Sequence, residues 1–339
     1  MKKIETWLTA FVMSACLAGL APIANADLDV DAWAESLQGE SDIDALAQMY
    51  LDMSIQLNPP MGGALGIHGT EEAPRAFDDH LADVSPAAWD TSYRAHVAFQ
   101  ERLAAIDAAD LNRADQVNLH ILKNDVALSL LSLTELGGPT NPQTYVGGLG
   151  GAFTSLVLRD YAPVEQRLRS FGSRCSETGR YLENARIALL PPHVRPTALE
   201  KQTTLGRLAG TVGDTGLFKK ALPEMIAASS LPADEAAAIE QNCAAAVQEI
   251  EAFAGWFEKH IQPRPDGEWR LGKELYGKKY ALYMDYPLSP QELLETAEIA
   301  LEESGSELVG LARKIHDGYL AEAISSGDIK SEGELTDSE

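Results

Sequence analysis

The stretch WRLGKELYGKKYALYMDYPLSPQELLETAEIALEE, residues Trp269–Glu303, predicts a helix, a turn and a second helix. The second helix has the best-defined start in the chain. Ser289 is a favourable N-cap residue, and Pro290 follows at the first helical position, where its missing N–H costs no hydrogen bond. Glu292 completes a capping box with Ser289. We therefore expect a new helix that runs from this cap to about Ile324.

Helix signals of the same kind recur through the rest of the chain. Ser85 precedes Pro86 in the same cap-plus-proline pattern, and Pro163 and Pro232 each open a long amphipathic stretch. Alanine and leucine are abundant and β-branched runs are scarce, which favours helix over strand. The 339 residues, 45% of them hydrophobic, suffice for a large core. The sequence predicts an all-α protein whose helical domain spans residues 27–324.

Four stretches carry turn or low-complexity signals instead. They are a loosely held acidic lead-in at Asp27–Glu40, a glycine-rich loop at Met61–Ala73, a glycine- and proline-rich connection at Gly137–Gly151, and a disordered acidic tail at 325–339. The second stretch contains His68 and the third contains Tyr145, so we expect both side chains to lie on loops.

The first 26 residues have the features of a secretory signal peptide. Two lysines precede an apolar segment at Trp7–Leu20, and Ala24-Asn25-Ala26 places the cleavage before Asp27. Lipidation at Cys16 is an alternative, although the usual leucine three residues before the cysteine is absent. No later stretch is apolar enough to cross a bilayer. We therefore predict a bacterial periplasmic or secreted protein without an integral membrane span.

The formal net charge of −24 limits the classes of molecule that this protein is expected to bind. Such acidity argues against nucleic acid and against anionic membrane surfaces, because both would be repelled. It could favour cationic peptides, but a solvated acidic surface is the preferred interpretation.

Two cysteines, Cys175 and Cys243, remain after the predicted cleavage. They could pair in an oxidising compartment. Both also lie on helical apolar patterns, where cysteine behaves as a small buried hydrophobic residue. The sequence leaves both states open and slightly favours free thiols, and two cysteines this far apart do not make a zinc site.

The histidines form no recognisable metal-binding motif. None belongs to an H-E-x-x-H helix pattern, which places two imidazoles on one face. The seven are His68, His80, His96, His120, His193, His260 and His316. His68-Gly-Thr-Glu71 is the nearest approach, and we interpret it as a turn with a solvent-facing histidine. His120 is expected to be half-buried on a helix flank.

No nucleophile can be selected either. The Gly-x-Ser-x-Gly pattern is absent, and Ser155 is interpreted as a capping or loop serine. Gly147–Gly151 lacks the Lys-Ser/Thr of a phosphate-binding loop, so we assign it to flexibility or close packing. Carboxylates are too numerous to single out a catalytic pair. The sequence therefore assigns no catalytic, cofactor-binding or metal-binding residue, and it leaves the substrate-binding residues unknown.

The region 159–186 is unusually basic for so acidic a chain. Its arginines are Arg159, Arg167, Arg169, Arg174, Arg180 and Arg186. Arg159 could present its guanidinium at the rim of a cleft. The favoured interpretation is ion pairing at helical spacing with Glu165, Glu177 and Glu183.

Several short stretches occur in an order that resembles a known family. They are Leu65–Gly69 after Asn58-Pro59-Pro60, then Leu81–Pro86, Arg159–Pro163 leading to Gln166-Arg167-Leu168, Tyr181–Arg186, and Trp269–Tyr276 leading into Leu288–Leu294. In this order the chain resembles the N-terminal half of the bacterial family called "domain of unknown function 885". The resemblance covers nearly all of the chain after the predicted cleavage site.

The resemblance implies an all-helical lobe of a larger fold similar to that of zinc peptidases. In that family the H-E-x-x-H motif lies in a C-terminal half that has no counterpart here. No zinc ligand or catalytic residue can therefore be transferred to this sequence, and no cofactor is expected in this chain.

Two functions follow as hypotheses. The first is an exported, truncated N-terminal lobe of a metallopeptidase-like hydrolase, inactive alone, whose substrate is a peptide or another small amide. Self-association, or pairing with a missing C-terminal half, would be expected of such a lobe. The second is a stand-alone periplasmic binding or interaction module with an exposed groove.

Overall fold

The computed structural model describes residues 28–69, 73–286 and 288–326, except for the side chain of Ala323. These residues form α-helices, two 3₁₀ turns and one π-helical turn, with no β-strand among them. The all-α prediction is therefore confirmed. The predicted signal peptide at 1–26 lies outside the described residues, as does the tail from residue 327 onwards.

The described chain divides into two compact units, one ending at Leu271 and one beginning at Gly272. The helices of the first unit are α1 (Val30–Leu37), α2 (Ile43–Leu57), α3 (Pro59–Leu65), α4 (Pro86–Ala104), α5 (Arg113–Thr134), α6 (Pro142–Leu158), α7 (Val164–Leu189), α8 (Ala198–Val212), α9 (Leu222–Ala227) and α10 (Ala233–His260). The second unit contains α11 (Gly272–Met284) and α12 (Pro290–Ser326).

The larger hydrophobic core of the first unit is built around α7 and α10, which pack along each other. Phe171 and Leu182 of α7 and Phe253 and Phe257 of α10 have no exposed surface. Helices α6 and α8 pack against this pair. Burial of large aromatic side chains is the main stabilising contribution that this arrangement makes.

A disulfide joins α7 to α10 through Cys175 and Cys243, whose Cα atoms lie 5.0 Å apart. The slight sequence preference for free thiols is therefore wrong. Both cysteines do lie on buried helix faces as the pattern indicated, at 3% and 2% exposure. The packing of two helices brings them to the same level, which a separation of 68 residues does not reveal.

A second core is formed by α1, α2, α4 and α5. The expectation of a loosely held lead-in at Asp27–Glu40 is wrong over its helical part, since α1 is capped by Asp29 and contributes buried Leu37. The Trp33 ring stacks on Phe99 with centroids 6.1 Å apart. The burial of Leu37 and the packing of Trp33 on Phe99 explain why this acidic segment is ordered.

Two segments predicted as loops, Met61–Ala73 and Gly137–Gly151, are helical in part, the first only as far as Leu65. Asn58 ends α2, but Pro59 and Pro60 then start α3 at positions where proline is tolerated. Most of the glycine-rich stretch at 137–151 lies in α6, which Asn141 caps by accepting from the Gln143 N–H at 2.8 Å. Each glycine costs a helix about 1 kcal/mol relative to alanine. The buried apolar side chains of α6 offset that cost.

The predicted helix starts are confirmed at both ends of the chain. In the first unit, Ser85 Oγ accepts from the Ala88 N–H at 3.2 Å. In the second unit, the Glu292 N–H donates to Ser289 Oγ at 3.2 Å and the Ser289 N–H donates to Glu292 Oε2 at 2.7 Å. This is the capping box predicted from the opening stretch, and α12 extends from it to Ser326.

None of the helices among the described residues combines the length and the apolar character that a membrane span requires.

Candidate functional site

Helix α6 contributes one face to each of two cavities. Its buried positions include Tyr145, Leu149 and Phe153, which pack into the larger core. Thr144, Gly148 and Ala152 share one further face, at i, i+4 spacing, and line one cavity. Gly147, Gly150, Gly151 and Thr154 line the other cavity. The glycine-rich segment is therefore a helix with small side chains on two faces, and this leaves room for ligands on both.

The first cavity, which we call the glycine groove, lies between α6, α8 and the segment 215–224. It is open to solvent and has a volume of about 680 Å³. A Cβ atom added at Gly150 or at Gly151 would meet nothing within 4 Å. A Cβ atom at Gly147 would lie 2.9 Å from Arg207 Nη1. The backbone of α6 is thus accessible to a molecule in the groove.

The glycine groove also carries charged side chains, namely Arg207, Lys220 and Glu224. All three are exposed. Neither Arg207 nor Lys220 forms an ion pair with any residue in the described part of the chain, whereas the neighbouring Lys219 Nζ lies 3.2 Å from Asp214 Oδ1. The groove therefore offers two cations that form no ion pair with a described carboxylate, in a chain with a net charge of −24.

The second cavity, which we call the aromatic pocket, has a volume of about 330 Å³ and is more enclosed. Helices α2 to α7 all contribute to its lining, and its aromatic residues are Tyr50, Trp89, His96 and Tyr181. Tyr50 Oη donates to Asp125 Oδ2 at 2.7 Å. Burial raises the pKa of Tyr50 and lowers the pKa of His96, so both side chains are neutral near pH 7.

His68 is half-buried in a polar cluster, contrary to its expected solvent-facing position. Its Nδ1 atom is 3.0 Å from Asp78 Oδ2, and its ring stacks on Tyr161 with centroids 3.8 Å apart. Asp78 is 1% exposed. Within the described chain no serine, threonine or cysteine side chain hydrogen-bonds to His68. The stacking on Tyr161 therefore ties the segment after α3 to the segment before α7, and the His68–Asp78 pair does not form a nucleophile–base pair.

Arg174 is the buried cation of the same region. It is fully buried and donates to the carbonyls of Phe77, at 3.1 Å, and Ala152. Burial lowers the pKa of Arg174 to about 10. This arginine holds two backbone segments together inside the core and does not pair with Glu177 or Glu183 as the favoured interpretation proposed.

The other arginines of this region divide between ion pairs and backbone contacts. Arg186 pairs with Glu183 at 2.9 Å, as interpreted from the sequence. Arg169 pairs with Glu235 at 2.6 Å, a partner that lies on another helix. Arg159 donates to the Ala64 carbonyl at 2.5 Å and so fixes the end of α3. It does not line either cavity.

Three further predictions concern single side chains. Tyr145 is buried inside α6 and does not lie on a loop. Ser155 lies within α6, where its Oγ donates to the Ala152 carbonyl at 2.9 Å, so it is neither a capping nor a loop serine. His120 is exposed, although its pattern suggested a half-buried position.

The residues that line the two cavities were not found by sequence reasoning. Arg207 and Lys220 are isolated basic residues on different segments, and no motif connects them. Tyr50 and His96 lie on amphipathic helix faces, where the pattern indicates ordinary core positions. Only the glycine run of α6 is unusual in the sequence, and its pattern predicts flexibility or close packing.

The described residues do not fit the zinc that the resemblance implies. Among them, no group of three or more His, Cys, Asp or Glu side chains could hold a metal ion. We therefore derive no chemical step through zinc from these residues.

The fold and the two cavities define an all-α protein with two ligand-sized cavities in its described part. The chain belongs to the family described as bacterial protein of unknown function (DUF885), which matches residues 59–334. This match confirms the resemblance to the family, while the likeness to zinc peptidases and the missing C-terminal half stay predictions. The family description assigns no activity.

A solved structure with a similar fold is that of a candidate lipoprotein of unknown function from Shewanella oneidensis. The TM-score is 0.70 at 18% sequence identity, which shows the fold alone. The match covers 83% of this chain and 49% of that chain, so this chain spans about half the length of the structure it matches. Among curated proteins, none matches this chain.

Proposed function

We propose that this chain is part of an exported hydrolase that acts on peptide or related amide bonds. In this proposal its first unit binds the substrate and does not carry out the chemistry. The glycine groove is the observation that carries the proposal. An extended chain can lie against a helix face without side chains, as Gly150 and Gly151 provide. The type of reaction rests on the resemblance to zinc peptidases.

The charges of the glycine groove suit a peptide end. A carboxylate accepts charge-assisted hydrogen bonds from a guanidinium group such as that of Arg207, and Lys220 adds a second positive charge. Glu224 can accept from an N–H group of the same ligand. Because exposed ion pairs contribute only about 0–1 kcal/mol each, these residues would orient the ligand more than hold it.

Export is supported by two independent features. The N-terminal sequence has the organisation of a signal peptide, and the disulfide between Cys175 and Cys243 suits an oxidising compartment. Disulfides are rare in the bacterial cytoplasm because thiols are kept reduced there. The bacterial periplasm or the exterior is therefore the compartment that we propose.

Fluorescence anisotropy with short labelled peptides tests the binding role. We expect a peptide with a free C-terminal carboxylate to bind more tightly than its amidated form. Arg207→Ala and Lys220→Ala should each weaken binding of the free-acid peptide by about three- to tenfold, a loss typical of a charge-assisted hydrogen bond. Lys219→Ala is the matched control, because Lys219 pairs with Asp214 and does not line the groove.

Three outcomes would contradict the proposal. They are no peptide binding, equal loss in Lys219→Ala and Lys220→Ala, and chelator-sensitive peptide hydrolysis by this chain alone. Either of the first two outcomes would show that the glycine groove is not the peptide-binding surface. The third would contradict the proposal that this chain does not carry out the hydrolysis.

A stand-alone binding module would give the same peptide binding. An H-E-x-x-H motif encoded downstream of codon 339 would favour the hydrolase, and unrelated downstream sequence would favour the module. Self-association of the chain, expected from the sequence, stays a prediction that sedimentation can check.

A further inference from the structure

The aromatic pocket presents several hydrogen-bond acceptors, although the indole Nε1–H of Trp89 is a buried donor in its lining without a partner among the described residues. Tyr50 uses its hydroxyl hydrogen to bind Asp125 Oδ2 at 2.7 Å. His96 Nδ1 lies 2.7 Å from the Ser92 carbonyl, which can only accept, so Nδ1 carries the hydrogen. The Nε2 atom of the neutral ring is then an acceptor, and it has no hydrogen-bond partner among the described residues.

Two other hydroxyl groups of the aromatic pocket are committed in the same way. Ser54 Oγ donates to the Tyr50 carbonyl at 2.8 Å. Tyr181 Oη donates to the Tyr145 carbonyl at 3.0 Å. Because these hydrogens already have protein acceptors, the oxygens face a ligand mainly with lone pairs. A ligand that donates hydrogen bonds fits such a lining better than one that accepts them.

The charge of the aromatic pocket points in the same direction. Two carboxylates line it, Asp83 and Asp125. Asp83 forms a long ion pair with Arg180, whose Nη1 atom lies 3.9 Å from Asp83 Oδ2. Asp125 forms no ion pair with any residue that the structure describes, and it is exposed, as expected of a group at the mouth of the cavity. The negative charge at this end of the pocket is therefore uncompensated by protein.

The rest of the lining suits an apolar or aromatic body. Met61, Leu81 and Val84 supply apolar surface, and the rings of Tyr50 and Trp89 supply π-faces. Aromatic faces attract organic cations, with a free energy of about 0.5–2 kcal/mol per contact. The volume of about 330 Å³ is at the lower end of ligand pockets, so the ligand must be small.

We propose that the aromatic pocket binds a small organic cation, a protonated amine on a short apolar or aromatic body. Its ammonium group donates to Asp125 at the mouth and to His96 Nε2, and its body lies between Trp89 and the apolar wall. This site is distinct from the glycine groove, because α6 presents a different face to each. The two proposals therefore stand or fall separately.

Isothermal titration calorimetry with phenethylamine tests this site. Phenylethanol and phenylacetate are the controls, since they keep the aromatic body and replace the ammonium by a neutral or an anionic group. We expect phenethylamine to bind at least about tenfold more tightly than either control. Asp125→Asn should weaken the amine by about tenfold, because it removes the charge and keeps the shape.

Asp90→Asn is the matched control variant. Asp90 is exposed on α4 and does not line the aromatic pocket, so its loss changes the net charge equally and should leave amine binding unchanged. Thermal unfolding of each variant shows that it is folded. The proposal is overturned if phenethylamine does not bind, if phenylethanol binds equally well, or if Asp125→Asn and Asp90→Asn have the same effect.

Discussion

A glycine-to-alanine series along α6 should change the stability of the first unit in opposite directions at neighbouring positions. At Gly150 and Gly151 an added Cβ meets nothing within 4 Å. Alanine there removes the entropic cost of glycine in a helix and should stabilise the protein by about 0.5–1 kcal/mol per site. At Gly148 an added Cβ would lie 2.8 Å from Tyr181 Oη.

The Gly148→Ala substitution should therefore destabilise the protein. Tyr181 is 5% exposed and its hydroxyl is held by the Tyr145 carbonyl, so the ring cannot move away without losing that hydrogen bond. Overpacking of this kind costs about 1–3 kcal/mol, which exceeds the gain in helix propensity. Gly172→Ala serves as a second overpacked control, because its Cβ would lie 2.9 Å from Ile239 Cγ1 between α7 and α10.

Urea unfolding followed by far-UV circular dichroism measures these differences. The double variant Gly150→Ala/Gly151→Ala should gain about 1–2 kcal/mol in the free energy of unfolding, and its Tm should rise by about 2–4 °C for each kcal/mol. The same variant narrows the glycine groove, so it should bind free-acid peptides less tightly while being more stable. A stabilising Gly148→Ala, or a destabilising double variant, would refute the packing described for α6.

Two further perturbations test the core. Removal of the disulfide in Cys175→Ala/Cys243→Ala frees a loop of 68 residues. The chain entropy of that loop predicts a free energy of unfolding lower by about 4 kcal/mol. A urea midpoint unchanged from wild type would contradict this prediction. The hydrogen bond to Glu177, at 2.7 Å, raises the pKa of His80, so the pair stabilises the fold fully below the ordinary histidine pKa. That stability should be lost as the pH rises above the ordinary histidine pKa and through the raised pKa of His80. His80→Gln should flatten this part of the urea-midpoint profile.

Helix starts were predictable because their determinants are local. Ser289, Pro290 and Glu292 lie within four residues, so the capping box that they form depends on no distant contact. The same holds for Ser85 with Pro86. The all-α class follows from repeated signals of this kind together with helical periodicity.

Errors arose where burial outweighed local preference. Glycines and two prolines favour a loop at 137–151, yet Tyr145, Leu149 and Phe153 gain more from burial than the helix loses at its glycines. The acidic segment that contains α1 is ordered in the same way by Trp33 and Leu37. A single sequence does not show which apolar side chains have a partner in the folded chain.

The sequence by itself determined the helical class, several helix starts and the family, because each depends on residues close together along the chain or on their order. The tertiary structure alone decided the Cys175–Cys243 bond, the stacking of His68 on Tyr161 and the two cavities beside α6. Each of these joins side chains that are remote in sequence and meet only when helices pack. Asp125 and Tyr50, 75 residues apart, have no common signal until α2 and α5 lie together.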